Sequence, residues 1–410
     1  MYLTQLVLTN FRNYTRLFLD LPRHTTVLQG ANAQGKTNLL EAIYYLAAAR
    51  SPYTLNDAQL VNWLAEQDDL PHARVTAELA RGNALTKIEI ILTRNAGNGY
   101  QKHIRVNGVA KRAMDLLGLV NVVLFVPQDI ALIDGAPAHR RHYLDVMLCQ
   151  IDPAYRQALA QYNRVLEQRN ALLKSLRDKN GTRANNGAAG QLEFWDERLI
   201  EHGSLLIARR QQAVVDLESL AQPVHLDLSG GHERLRLRYL PSFDPHPQRV
   251  DARQMGLPLD LLPPVSLPQK PDEIRPAFER TLQSMRSEEL ARGVTLIGPH
   301  RDEFRCFDGQ IDLHTYGSRG QHRTTVLALK LAEVTLMARA TGEQPILLLD
   351  DVLSELDTNR RRYLCAQLEH VEQALLTTTD LGDLTDELRK TAQIYTVVQG
   401  RLATNVRRET

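Results

Sequence analysis

Gly30-Ala31-Asn32-Ala33-Gln34-Gly35-Lys36-Thr37 fits the spacing G-x-x-x-x-G-K-[ST] of a loop that wraps phosphate. Backbone N–H groups of such a loop point at an anion, and the N-terminus of the helix that follows adds partial positive charge. Gly30 and Gly35 allow the tight turn and the close approach, Lys36 would reach the β- and γ-phosphates, and the Thr37 hydroxyl would ligate Mg2+. Far downstream, Pro345-Ile346-Leu347-Leu348-Leu349-Asp350-Asp351 is an apolar run ending in two carboxylates. Asp350 there would hold Mg2+, directly or through water, and Asp351 would serve as base or positioning group for attacking water. Between these lies Tyr316-Gly317-Ser318-Arg319-Gly320-Gln321-His322-Arg323-Thr324, which opens a helix and offers a serine, a glycine and free N–H groups to a second anion. Taken alone, that segment reads as a helix cap at Ser318. Its place in the order, ahead of the acidic strand and Ser354-Glu355-Leu356-Asp357, is what makes it a candidate for the site.

These groups need elements to carry them. Thr25 to Gln29 is short and β-branched and predicts a strand into the phosphate loop; Asn38 to Leu46 is apolar at helical spacing and predicts the helix after it. Leu3 to Leu8 predicts an opening strand. Arg74 to Leu79 and Thr86 to Thr93 flank Arg81-Gly82-Asn83, and His103 to Val106 and Val109 to Arg112 flank Asn107-Gly108, a type I′ turn signal. The region predicts an antiparallel meander beside the nucleotide loop. Val122 to Val126 predicts a buried strand ending at Pro127-Gln128-Asp129. From about Asp152 the pattern becomes helical: one stripe through Tyr155, Leu159, Tyr162, Val165 and Leu173, a small polar loop at Asn180–Gly187, and a returning helix from Leu192 to Leu220, together a hairpin arm. The Pro-rich span Asp244 to Lys270 reads as an irregular linker, Val294 to Ile297 as a strand, and Glu303 to Phe307 with Gln310 to His314 as a hairpin about Asp308-Gly309.

Composition narrows the class only a little. The 410 residues allow two or three domains, and 43% hydrophobic content supports a real core. A net charge of +1 neither argues for nor excludes a nucleic-acid partner, so any basic surface must be local. The three cysteines are scattered without a C-x-x-C pair and read as reduced, buried thiols of a cytoplasmic protein. No signal peptide is visible at Met1-Tyr2-Leu3-Thr4-Gln5, and no apolar run is long enough to span a bilayer.

The order of the motifs resembles the ABC-type ATPase heads of the SMC and recombination-repair group, and within that group it is most similar to the bacterial RecF family. The resemblance rests on Asn10-Phe11-Arg12-Asn13-Tyr14, Gly35 through Ile43, Pro137 with Arg140-Arg141, Gly298-Pro299-His300-Arg301-Asp302, and Leu349 through Asp357, and it runs from about residue 1 to about 385. It implies an α/β fold: a P-loop ABC-type ATPase head with an antiparallel β subdomain and an inserted short helical arm. The corresponding division is 1–134 for the N-terminal part of the head, 135–290 for the arm and second lobe, and 291–410 for the C-terminal part of the head. It implies ATP and Mg2+ as cofactors, with Gly30, Ala31, Asn32, Ala33, Gln34, Gly35, Lys36 and Thr37 around the phosphates. It also implies that Ser318, Gly320 and Gln321 form a signature reaching the nucleotide on an opposite head. Gln128 resembles the glutamine of the loop linking two lobes and would act with Lys36 and Asp351, and Asp357 resembles an acid at the dimer interface.

Three departures stand out. Tyr53 takes a place where the family often has arginine. Asp351 and Thr378-Thr379-Asp380 stand where wider relatives have a glutamate and a histidine. A shorter acid and a missing histidine imply a slow, DNA-stimulated ATPase acting as a switch. The expected function is ATP-dependent DNA binding in recombinational repair, replication-fork maintenance and SOS induction, with DNA, a second copy of the chain in an ATP-dependent homodimer, and other recombination-mediator proteins as partners, and no membrane. A transporter's nucleotide-binding subunit is the alternative; those chains carry a second glycine where this one has Arg319, and they lack the arm. A P-loop kinase would need neither signature nor the Ser354–Asp357 segment. For DNA itself the residues offer less: Arg234, Arg236 and Arg238 would share one face of a strand, and that face reads more readily as simply solvated. Arg360-Arg361-Arg362 reads as a helix cap near the interface. Arg141 is expected to pair with Asp145, one helical turn on.

Overall fold

The computed structural model describes residues 1–65, 70–95, 97, 99–179, 188–245 and 268–404. The polar loop Asn180–Gly187 and most of the Pro-rich linker lie outside them. In chain order the first elements are β1 (Tyr2–Phe11), β2 (Tyr14–Asp20), β3 (Thr25–Gln29), α1 (Lys36–Ala48), β4 (His72–Arg81), β5 (Ala84–Arg94), β6 (Tyr100–Val106), β7 (Val109–Lys111), α2 (Ala113–Leu116) and β8 (Val122–Phe125). Next come α3 (Ala131–Asp134), α4 (Pro137–Ile151), α5 (Pro153–Lys179), α6 (Ala188–Leu228), β9 (Leu235–Leu240), α7 (Pro271–Ser284), α8 (Arg286–Arg292), β10 (Glu303–Asp308), β11 (Ile311–Asp312) and α9 (Leu313–Tyr316). The chain ends with α10 (Arg319–Thr341), β12 (Ile346–Asp350), α11 (Thr358–Leu368), β13 (Ala374–Thr378), α12 (Asp386–Thr391), β14 (Gln393–Val398) and β15 (Arg401–Thr404).

The contacts divide the chain into two compact units. The first comprises residues 1–130, 224–232 and 326–410, the second residues 131–223 and 233–325. The first unit holds two six-stranded sheets. One is antiparallel, in the order β2-β1-β4-β5-β6-β7. Its turn at Asn107-Gly108 has φ of 49° and 79°, both in the left-handed region that a type I′ turn requires. The other has the order β15-β14-β3-β13-β12-β8, with every pair parallel except the edge pair β14–β15. Parallel strands covered on both faces become near-continuous apolar runs, and β12 and β13 are buried at every position.

The second unit contains the arm and a three-stranded sheet, β11-β10-β9. Helices α5 and α6 meet at Tyr155 with Arg210, at Tyr162 with Gly203 and at Arg169 with Asp196. The partner advances seven residues on one helix as it retreats seven on the other, so the hairpin is antiparallel, with a regular two-turn repeat of contacts. A side chain at Gly203 would meet the Phe278 ring at 2.7 Å, which is why the smallest residue sits there. The arm is tied to its unit by charge as well as by apolar packing. Fully buried Arg169 donates to Asp196 at 2.8 Å, to Glu289 at 2.6 Å and to the Thr295 hydroxyl at 2.8 Å.

Several expectations change here. Val294 to Ile297 is not a strand. Its backbone donors are taken by side chains instead: the Thr295 N–H donates to Asn170 and the Leu296 N–H to Glu289, both at about the usual distance, 2.8 and 2.9 Å. Residues beyond Asp312 leave the expected hairpin for the short helix α9, capped by the Asp312 carboxylate accepting from the His314 N–H at 2.9 Å. Arg141 does not pair with Asp145. Arg210, buried on α6 and 65 residues along the chain, claims that carboxylate at 2.7 Å, and Arg141 donates to the Asp302 carbonyl at 2.9 Å. Cys306 and Cys365 are buried, whereas Cys149 is only half-buried.

Candidate functional site

The phosphate loop leaves the C-terminal end of β3 and opens α1, and Asp350 ends β12 with β13 between the two strands. The spacing is bridged by side chains. The Thr37 hydroxyl donates to Asp350 Oδ1 at 2.8 Å, and the hydroxyl of Thr377 on the middle strand donates to the same oxygen at 2.9 Å. The Asp351 N–H in turn donates to the Thr377 hydroxyl at 2.8 Å. Thr377 was invisible to motif reading, because its role comes only from the strand order.

Gly30 and Gly35 are required by geometry. A Cβ at Gly30 would lie 2.5 Å from the Val397 carbonyl oxygen, and Gly35 has φ of 111° with Asn13 packed against it. Ala33 also has a positive φ, 63°. The loop is strapped from outside: Asn13 donates to the Gln34 carbonyl at 2.9 Å, Tyr14 to the Gly35 carbonyl at 2.9 Å, and the Gly400 N–H to the Gln34 carbonyl at 3.0 Å. Asn38 donates to Asn13 at 2.9 Å, so the β1–β2 turn and the first turn of α1 are joined. Beside that junction opens a cleft of about 530 Å3 lined by Arg12, Asn13, Asn38, Gln59, Val61 and Trp63.

Lys36 is buried and donates to the carbonyls of Gly30 at 2.6 Å and Ala31 at 3.0 Å, bent over its own loop. Burial lowers its pKa, against the pull of the Asp351 and Asp350 charges. Asp351 sits with φ of 53°, a left-handed conformation uncommon outside glycine. Its carboxyl is pushed up by burial and by the neighbouring Asp350 and Asp383 charges, with Lys36 opposing. Its Oδ1 is buried without a hydrogen-bond partner. A strained residue with an unanswered carboxylate oxygen next to a lysine is what a water-positioning group requires. Thr37 and Asp350 supply hard oxygen donors within hydrogen-bond reach of each other, a set that suits Mg2+ bound largely through water and phosphate.

Gln128 lies exposed in the turn Pro127–Ile130 after β8, the strand that pairs with β12, so it stands at the same sheet end as Asp350. In the second unit, Ser318 is exposed and caps α10. The Ser318 N–H donates to the Gln321 side-chain oxygen at 2.9 Å and the Gln321 N–H to the Ser318 hydroxyl at 3.2 Å, a reciprocal capping box. Gly320 is exposed, and a Cβ there would meet nothing closer than the Ser318 hydroxyl at 3.8 Å, so packing within the chain does not demand glycine.

Other sequence candidates are engaged locally. Asp357 caps α11 by accepting from the N–H groups of Asn359 and Arg360 at 3.1 and 3.0 Å. Arg361 donates to the carbonyls of Leu353 and Leu356 and pairs with Asp383 at 2.9 Å. Of the strand arginines, Arg236 is held by Glu218 at 3.0 Å and Arg238 lies over the Phe307 ring at 4.9 Å. Glu41, which sequence reading passed over, is buried on α1 and accepts both arms of the Arg12 guanidinium at 2.7 and 2.6 Å. Its only signal was an acid amid an apolar helix, facing the Arg12 of a quoted motif.

The family model described as RecF/RecN/SMC N terminal domain matches residues 2–402. The chain is 43% identical to the DNA replication and repair protein RecF of Chloroflexus aurantiacus, covering 98% of this chain and 99% of that one, and 35% identical to that of Bacillus subtilis, covering 98% and 100%. A solved structure of the recombination mediator protein RecF-ATPrS in the RecFOR pathway superimposes with a TM-score of 0.82 at 31% identity, covering 99% of this chain and 98% of the other. The Smc head domain of Pyrococcus furiosus, at 15% identity and a TM-score of 0.52, shares the fold. This ATPase-head fold, with its phosphate loop and acidic strand end joined through Thr37 and Asp350, places the chain in the RecF family of DNA replication and repair proteins, within the wider RecF/RecN/SMC N-terminal domain family.

Proposed function

We propose that this chain is an ATP-gated DNA-binding switch of recombinational repair, replication-fork maintenance and SOS induction, acting in the cytoplasm with other recombination mediators. The carrying observation is the 2.8 Å hydrogen bond from Thr37 to Asp350, which unites phosphate loop and acidic strand end in one site. Phosphates enter the loop from Gly30 to Thr37, drawing Lys36 off its carbonyls. The nucleoside takes the adjoining cleft, against Asn13, Asn38 and Trp63. Thr37 and Asp350 would hold Mg2+, which would supply charge neutralisation at the phosphates. Asp351 orients the attacking water, aided by Gln128. Asp351 is a short acid with a strained backbone, which supports slow turnover.

A solved relative, the recombination mediator protein RecF of the RecFOR pathway, carries ATP; the same ligand and the same kind of partner are proposed for this chain. Ser318, Gly320 and Gln321 would complete the site from a second copy, an idea supported by an exposed glycine that local packing does not require. Light scattering after gel filtration, with and without a non-hydrolysable ATP analogue, tests the switch. Dimer formation and a nucleotide-dependent gain in affinity for gapped, duplex or single-stranded DNA are expected. A monomer at micromolar concentration, or DNA affinity indifferent to nucleotide, refutes it.

A further inference from the structure

Both oxygens of Asp350 are occupied by hydroxyl donors. Thr37 and Thr377 share Oδ1, and the Tyr53 phenol donates to Oδ2 at 3.0 Å. Tyr53 gets there by a chain of hydrogen bonds that begins on the antiparallel sheet. Arg12, at the β1–β2 turn, clamps Glu41 with two bonds. Glu41 accepts from the Ser51 hydroxyl at 2.5 Å, and that hydroxyl's oxygen accepts from the N–H groups of Tyr53 at 2.9 Å and Thr54 at 3.1 Å. Glu41 is 1% exposed, so this end of the relay is fixed. The Tyr53 side chain is different: 40% of it is exposed, and its tip is anchored on Asp350.

We infer that Tyr53 is a displaceable plug on the Asp350 carboxylate, holding Oδ2 until a hydrated divalent cation arrives with nucleotide. The inference rests on the reading of Thr37 and Asp350 as the cation-holding pair. An ionised carboxylate accepts at about four lone-pair positions, and three are already filled. Oδ1 carries two hydroxyl donors, so Oδ2 is the oxygen a newcomer can claim. A phenol O–H is a neutral donor, whereas water on a divalent cation donates with charge assistance, which favours the exchange. The half-exposed ring can swing outward at small packing cost, and its departure loosens the Ser51–Thr54 turn. Tyr53 is therefore a positioning residue: it presets the carboxylate and competes for it.

The test is a Mn2+ titration with ADP present, free Mn2+ being counted by electron paramagnetic resonance. Removing the competing donor in Tyr53→Phe should tighten Mn2+ binding about two- to tenfold, the worth of one hydrogen bond. In the wild-type protein, hydrogen exchange at the Tyr53 and Thr54 amides should speed up on adding Mn2+ and ADP. Unchanged or weaker Mn2+ binding by Tyr53→Phe, or exchange that does not respond, overturns the plug. Asp350→Asn and Lys36→Ala separate the two levels. If they lose Mn2+–ADP binding while Tyr53→Phe matches wild type, only the plug fails. If they too bind normally, the underlying site assignment fails.

Discussion

At the scale of single residues, Lys36 and Asp351 have separable tasks. In the proposed site Lys36 leaves its loop carbonyls for the phosphates, so Lys36→Ala should weaken nucleotide binding outright, seen as a loss of at least tenfold in affinity for a fluorescent ATP analogue, about what one charge-assisted bond to phosphate contributes. Asp351 is nearly isosteric with asparagine. Asp351→Asn should keep nucleotide affinity within about twofold while single-turnover phosphate release falls on the order of a hundredfold, the usual worth of a general base. Normal hydrolysis by Asp351→Asn would move the water-positioning role elsewhere. The phosphate loop and the two carboxylates Asp350 and Asp351 at and just after the end of β12 were legible in the sequence because short-range spacing defines them. Glu41, Ser51 and Thr377 were not, since each matters through a partner on a different element.

At the scale of elements, the start of α10 serves as a helix cap in the structure and as a trans contact in the proposal. Aspartate caps as well as serine, yet sets a negative charge against a phosphate. Ser318→Asp should leave the melting temperature within about 1 °C and abolish ATP-dependent dimerisation in light scattering; a normal dimer would reduce Ser318 to a cap. Arg169 joins α5 to α6 and α8 through carboxylates that are themselves buried. Arg169→Ala strands Glu289, 0% exposed, without its cation, and should cost about 3–5 kcal/mol in urea unfolding. The arm was readable from its apolar stripe, but the charged seam inside it was not, because Arg169, Asp196 and Glu289 look like ordinary surface residues in a charge-rich helix. Val294 to Ile297 misled for the mirror-image reason: β-branched and apolar residues in a partly buried irregular stretch score as a strand unless the side chains that satisfy their backbone are known.

For the molecule as a whole, acid should act through the second unit. His300 donates from Nε2 to the Thr295 carbonyl at 3.2 Å and accepts at Nδ1 from the Tyr162 phenol at 2.7 Å, so the neutral ring fits both partners. Burial, with Arg301, Arg141 and Arg169 nearby, depresses its pKa to about 4. A histidine depressed in the fold stabilises it above the unfolded-state value of about 6.5 and loses that contribution as pH falls toward 4. Unfolding free energy should drop by about 2 kcal/mol between pH 7 and pH 5 from this residue alone. Chemical denaturation at the two pH values checks it, with His300→Gln expected to flatten the difference.

The sequence by itself determined the chemistry on offer. A phosphate loop, an acid-ended strand and a serine-glycine helix start are each written in contiguous residues, and local spacing is enough to specify them. Tertiary structure decided which groups meet. Strand order put β13 between β3 and β12 and so made Thr377 the bridge, and the fold of Ser51 to Thr54 set Tyr53 on Asp350. The physical reason is range: backbone turns and helix starts are fixed by neighbours in the chain, whereas hydrogen bonds between buried side chains are fixed by which elements the core brings within about 3 Å.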